Sequence, residues 1–481
     1  MHMKNLNPQG VWSNFHSLTQ IPRPSGKKEA VSAFLAEYGR SLGLETIVDE
    51  IGNVIIRKPA FPGYENHPGV ILQGHMDMVP QKNNDTVFDF EKDPIEAYID
   101  GEWVTAKGTT LGADNGIGVA AAMAILADKS VVHPPLEMLV TVDEETGMYG
   151  AFALEGGLLQ GKILLNLDSE SEGELYVGCA GGVDTTAKFA YTPVPVEEGD
   201  VAIKVSVTGC KGGHSGCDIH LQRANANKLL FRFLKDAVAN LEARLAYVEG
   251  GSLRNAIPRE ASAIITVPAE GVDEIMDLVA EYEDLFVTEY DGVEDNIHFT
   301  AVEVECPATE LPEDVQDFLI HAITACPHGV YRVIPEMPDV VETSNNLAML
   351  TTKDDCVTVM CLTRSSVESR KEELQEIIQS VFAMAGAEVE FSGSYPGWKP
   401  NLNSHILGVM QEVYKQEFDA QPRIIIIHAG LECGIIGRNY PGMDMISFGP
   451  TIKYPHSPDE QVNIPSVEKF YHFLLATLKA L

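Results

Sequence analysis

The sequence predicts a two-domain α/β protein. One domain is α/β with a mixed, mostly parallel sheet, drawn from residues 1–190 and 393–481, and an α+β domain is inserted at 191–392. Three observations predict this. A chain of 481 residues exceeds what one hydrophobic core usually organises. Short apolar runs alternate with helical patterns near both ends of the chain. The texture changes at 191–200, where Pro193, Pro195, Glu197, Glu198 and Gly199 read as a linker, and reverts after the turn residues 393–400.

In chain order, Ser25 is placed to cap a helix whose apolar residues Val31, Phe34, Leu35, Tyr38 and Leu42 recur at helical spacing, and Gly43 to end it. Apolar runs at 44–48, 53–56, 70–73, 136–142 and 163–167 read as strands, with a helix at 116–127 among them. The inserted segment reads as strands at 202–208, 261–267, 297–305 and 356–362. Between and after them come helices at 224–242, 272–289, 313–325 and 368–385. That alternation is compatible with two related halves, without a fixed-period repeat. The first pattern then resumes with a helix at 405–418, a strand at 423–427, a Gly-rich turn and helix start at 430–436, and a strand at 443–448.

Composition narrows the function classes. A formal charge of -36 repels phosphate backbones and anionic lipid, which argues against nucleic-acid and membrane partners. The eight cysteines include no C-x-x-C pair and read as free thiols in a reducing compartment. The first residues lack the apolar core of a signal peptide, and the apolar stretch 119–127 is too short to span a bilayer. The expectation is a cytoplasmic protein.

Acid- or histidine-bearing residues follow a predicted strand end or open a helix at several points: His75 and Asp77, Asp114, Glu144 and Glu145, Asp168, and His456. Ligands of open α/β sheets bind beyond the carboxyl ends of the strands, so these residues converge if the sheet forms as read. Singly, each has a plainer reading: H-x-D as polar capping, Asp-Asn-Gly as a turn, an acidic triplet as a solvated loop. Together they favour a metal. Imidazole with carboxylate suits zinc, cobalt or manganese, and two ions about 3.5–4 Å apart can share one carboxylate. The Glu144-Glu145 doublet then offers one acid as ligand and one for proton transfer.

The segments 74–79 (Gly-His-Met-Asp-Met-Val), 112–116 (Gly-Ala-Asp-Asn-Gly), 143–147 (Asp-Glu-Glu-Thr-Gly) and 455–460 (Pro-His-Ser-Pro-Asp-Glu) resemble, in order, the motif set of M20 metallopeptidases. Segments 80–85, 212–216, 254–259 and 428–434 resemble the aminoacyl-histidine dipeptidase branch of that family.

The resemblance implies a two-domain zinc-peptidase fold with the inserted domain as a lid, and hydrolysis of dipeptides with free termini. It implies two divalent ions, zinc or else manganese or cobalt: one held by His75, Asp114 and Asp168, the other by Asp114, Glu145 and His456. Glu144 would be general base and then acid, and Asp77 would orient His75. His214, Asn255, Arg364, Gly430 and Glu432 would contact the peptide, Arg364 meeting its carboxylate. The Asp114–Asn115 peptide would be cis, and the lid would pair in a homodimer. The alternatives are tripeptide or N-acyl-amino-acid hydrolysis, or a catalytically dead peptide-binding scaffold.

Overall fold

The computed structural model describes residues 3–481. It divides into two compact units. The first comprises residues up to Cys179, Pro400–Ile426 and Leu431–Leu481; the second comprises Ala180–Lys399 and Ile427–Gly430. The changeover thus comes earlier than residue 190, because Gly181–Ala190 is a strand of the second unit's sheet, paired along its length with Cys356–Ser365. The expected linker 191–200 also carries a short strand, Val194–Pro195, paired with Thr309–Glu310.

The first unit is built on an eight-stranded sheet. Its central strands lie in the order Leu136–Thr141, Val70–His75, Ile163–Asn166, Asp444–Ser447, and all three of these pairings are parallel. Glu45–Val48 with Val54–Lys58, Val54–Lys58 with Leu136–Thr141, and Asp444–Ser447 with Glu174–Cys179 pair antiparallel. Val70–His75, Leu136–Thr141 and Ile163–Asn166 are buried throughout, as near-continuous apolar runs covered on both faces must be. The helix Ala113–Ala127 is almost wholly buried too. A smaller sheet joins Ala97–Asp100, Trp103–Ala106, Gln461–Asn463 and Ile452–Lys453, and the loop closing its last hairpin carries His456.

The predicted Gly43 helix stop forms. The helix is Glu29–Ser41, and Gly43 follows at φ 72°, in the left-handed region that glycine adopts without cost. Ser25 does not cap it: the helix is preceded by Lys28 without a side-chain cap, and the Ser25 hydroxyl donates instead to Asp77 at 2.8 Å.

The second unit is a nine-stranded antiparallel sheet. Alternation along Val201–Thr208 turns Ile203, Val205 and Val207 into the core and leaves Lys204, Ser206 and Thr208 half-buried. The core holds Phe231 and Phe233 from helix Ala226–Asn240, Phe286 from Val272–Glu289, and Phe382 from Glu368–Met384. No helix among the described residues is long and apolar enough to cross a membrane.

Candidate metal centre

The parallel strands of the first unit all deliver their carboxyl ends to one edge of the sheet, and the chemistry-bearing residues follow directly. His75 ends its strand. Asp143, Glu144 and Glu145 come just after Thr141, and Asp168 just after Asn166. Asp114 enters at the start of the buried helix, where the Asp114–Asn115 peptide is cis.

Asp114 stands at the middle. Its Oδ1 lies 3.1 Å from His75 Nε2 and its Oδ2 lies 3.1 Å from His456 Nε2. Asp168 Oδ1 is 3.2 Å from the same nitrogen of His75, and Glu145 Oε2 is 3.0 Å from the same nitrogen of His456. Two triads result, His75–Asp114–Asp168 and Asp114–Glu145–His456, each with ligand atoms within 4.8 Å of one another. His75, Glu144 and Glu145 satisfy the same limit.

The donor set fits divalent cations of the zinc type: imidazole and carboxylate, with one carboxylate offering an oxygen to each triad. Two observations support the fit. Asp168 Oδ1 and Glu145 Oε1 are buried without hydrogen-bond partners. The electrostatics also call for positive charge. Burial alone would lower the His75 pKa, yet Asp168, Asp114 and Asp77 hold it well above the usual imidazole range. Hydrogen bonding to Asp114 and then Glu145 pushes His456 up to about 11. The surplus negative charge that favours a proton on each imidazole favours a cation in its place. Burial raises Asp168 to about 6 and lifts Glu144 well above the carboxylate range, with Asp168, Glu432 and Glu145 adding to the latter. Bound cations would draw such carboxyls back down.

Asp77 does more than face His75. Its Oδ1 is 3.5 Å from His75 Nδ1 and accepts the Glu144 N–H at 3.1 Å, while Oδ2 accepts the Glu145 N–H at 3.4 Å and the Ser25 hydroxyl. Asn115 donates to Leu167 O at 2.6 Å, tying the Asp114 turn to the Asp168 strand. Gly74 leaves room for it, since a Cβ there would meet Asn115 Oδ1 at 2.1 Å.

Of the other predicted residues, Glu432 belongs to the first unit and four belong to the second. Glu432 is fully buried in the first unit and lines no surface. It accepts from Gln73 at 2.6 Å and Thr141 at 2.8 Å, and burial raises its pKa to about 8. From Gln73 a buried chain of side-chain bonds continues through Asn166 to Ser447 and Ser169. His214, Asn255, Arg364 and Gly430 belong to the second unit. Arg364 is buried and donates to Tyr395 Oη at 2.8 Å and Ser215 Oγ at 3.4 Å. His214 Nδ1 accepts the N–H groups of Gly216 and Cys217, which leaves the ring proton on Nε2. Burial, then Arg364, lowers its pKa. Asn255 is exposed and its carbonyl accepts the Ser215 N–H at 2.8 Å.

Sequence reasoning missed three polar supports of this centre. Arg23 is a buried cation whose guanidinium donates to Met76 O, Asp77 O and Gly112 O. Asp143 accepts from Gly26 N at 2.6 Å and Lys28 Nζ at 3.3 Å. Glu460 is buried against the Asp114 turn. Asp143 and Glu460 lay inside the motif segments 143–147 and 455–460 without a role of their own; nothing local marks Arg23.

Known proteins resemble this chain along nearly its whole length. The cytosol non-specific dipeptidase of Escherichia coli (strain K12) is 47% identical over 477 residues, covering 99% of this chain and 98% of that protein. The crystal structure of aminoacylhistidine dipeptidase from Vibrio alginolyticus superposes with a TM-score of 0.94 at 49% identity, over 100% of this chain and 98% of that one. Aminopeptidase PepT from Bacillus cereus shares the fold, with a TM-score of 0.58 at 17% identity over 99% of each chain. The family described as peptidase family M20/M25/M40 matches residues 71–480, and with most of the sequence inside that match, the chain belongs to it.

Proposed function

We propose that the protein is a metal-dependent dipeptidase that hydrolyses dipeptides with free termini, Xaa-His among them, into amino acids. The observation that carries the reading is the pair of ligand triads sharing Asp114, with Glu144 left over beside them. The two near-full-length relatives described above are dipeptidases by name.

His75, Asp114 and Asp168 would hold one divalent ion, and Asp114, Glu145 and His456 the other. When bound, two such ions supply Lewis acidity to the scissile carbonyl and acidify water near neutral pH. Zinc suits the donor set best, with manganese and cobalt as alternatives. Glu144 takes the proton from the attacking water and returns it to the leaving amine. Its burial keeps the proton available to that amine, because the charged carboxylate is poorly solvated there. Asp77 holds the His75 ring and the Glu144–Glu145 backbone together. His214 carries its proton on Nε2, the form that donates to a developing oxyanion. Arg364 reads the substrate carboxylate, with Asn255 and Gly430 as further peptide contacts. The buried position of Glu432 supports a structural role beneath the centre in place of a substrate contact.

A cytoplasmic location is supported by the name of the Escherichia coli relative. Homodimerisation through the second unit rests on the family resemblance, and sedimentation velocity tests it. The function is tested with metal-depleted protein reconstituted with Zn2+, Mn2+ or Co2+ and assayed on dipeptides, tripeptides and N-acyl amino acids. Dipeptides should be cleaved best. Preference for tripeptides or acylated amino acids would move the protein to another activity of the family. Peptide binding without turnover under every metal would make it a dead scaffold.

A further inference from the structure

Glu460 lies four residues after His456, in the loop that closes the hairpin between Ile452–Lys453 and Gln461–Asn463. Its buried carboxylate accepts four consecutive backbone N–H groups: Leu111 at 2.7 Å and Gly112 at 2.9 Å on Oε2, then Ala113 at 2.7 Å and Asp114 at 3.3 Å on Oε1. These are the residues that lead into the turn bearing Asp114. From its other side the same turn is gripped by Arg23, which donates to Gly112 O and also to Met76 O and Asp77 O. Glycine is required in between. Gly112 sits at φ 70°, and a Cβ there would come within 2.5 Å of Arg23 Nη2; a Cβ on Gly116 would come within 2.7 Å of the same atom.

A carboxylate that only ended a helix would need one or two of these N–H groups. This one takes four, and it comes from the loop that also carries His456, the partner of Asp114 in one triad. A shift of the His456 loop therefore cannot occur without disturbing the Asp114 backbone.

We propose that Glu460, with Arg23 opposite, is a positioning residue for the metal pair: it locks the Asp114 turn to the His456 loop so that one carboxylate can face both triads. The proposal rests on the dinuclear reading above. It also assigns roles to two residues that touch neither substrate nor ion.

The test uses full-length protein stripped of metal. Glu460→Gln keeps the size of the side chain but sets an amide NH2 against backbone N–H groups. Binding of Zn2+ and Co2+ is followed by competition with a chromophoric chelator, and the coordination geometry by the visible absorption of the Co2+ form. The wild type should take up two ions. The variant should bind them at least about tenfold more weakly, with a shifted Co2+ spectrum, and kcat should fall with KM little changed. Chelator competition and a Co2+ spectrum identical to wild type would overturn the proposal even if the Tm of the metal-free variant dropped, because the carboxylate would then serve folding alone. Should Glu460→Gln fail to fold, Arg23→Lys keeps the charge and removes the fork from the other side of the turn. It should weaken Co2+ binding in the same way, and unaltered binding would again overturn the proposal. A wild type that takes up fewer than two ions would sink the dinuclear reading itself.

Discussion

Asp77 Oδ1 accepts the backbone N–H of Glu144 at 3.1 Å, so the carboxylate that faces the His75 ring also holds the segment proposed to carry the proton shuttle. One side chain therefore couples a proposed ligand to a proposed base. Asp77→Asn keeps the shape but turns one acceptor into a donor that faces N–H or O–H groups. Metal affinity and kcat should both fall by about tenfold or more. Isothermal titration of metal-free protein together with steady-state kinetics checks this. A loss confined to kcat would mean that Asp77 serves Glu144 alone.

Glu144 and Glu145 are neighbours with different surroundings, and only Glu145 approaches His456, at 3.0 Å. Glu144→Gln should retain both metals and lose about 100-fold or more in kcat, because no other group takes over the proton. Glu145→Gln should lose metal first. Metal content by mass spectrometry, set beside the rate for each variant, distinguishes the two; equal metal loss would abolish the division of labour.

Arg364 is buried with its guanidinium held by Tyr395 and Ser215, the kind of preset fork that a carboxylate meets with two parallel bonds. Arg364→Ala should lower kcat/KM for a free dipeptide by at least about tenfold, in line with the roughly 2–5 kcal/mol lost when a buried charge pair is broken. The C-terminally amidated dipeptide should be affected much less. A double-mutant cycle with enzyme and substrate as its two sides measures the coupling. Equal losses on both substrates would show that Arg364 does not read the carboxylate.

His428 is buried in the second unit, with Nε2 2.7 Å from Ser344 Oγ, and burial followed by Arg364, His214 and His220 lowers its pKa to about 3. The unfolded chain, with an ordinary imidazole near 6.5, binds the proton first as pH falls. The neutral ring therefore contributes stability that is complete above about pH 6.5 and is lost toward pH 3. Between pH 7 and pH 5 this amounts to about 2 kcal/mol. Denaturant melts of metal-free wild type and His428→Gln at the two pH values should show a shallower pH dependence in the variant. Parallel slopes would mean that His428 already titrates in the folded state.

Sequence patterns made the proposed ligands legible because parallel strands impose a local signature. An apolar run, then an abrupt acid or histidine, marks His75, Glu144–Glu145 and Asp168 without knowledge of their neighbours. The strand Met337–Lys353 was not legible. Its middle carries Thr343, Ser344, Asn345 and Asn346, polar residues that break the apolar pattern of a strand yet are all buried. Partners from elsewhere in the chain meet them there: Asn345 accepts from Thr363, the Asn346 amide NH2 donates to Arg254 O and Ala256 O, and Ser344 meets His428.

The sequence by itself determined the α/β class, the inserted domain and the residues proposed to hold the metal ions, because periodicity and side-chain chemistry are properties of short segments. Tertiary structure alone decided that Asp114 turns one oxygen to His75 and the other to His456, residues 39 and 342 positions away. It alone decided that Glu432 lies in the interior, and that Arg23 and Glu460 hold the same turn from opposite sides. A buried polar group is stable only where its hydrogen-bonding partners are, and those partners are chosen by the fold, at distances along the chain that no local pattern encodes.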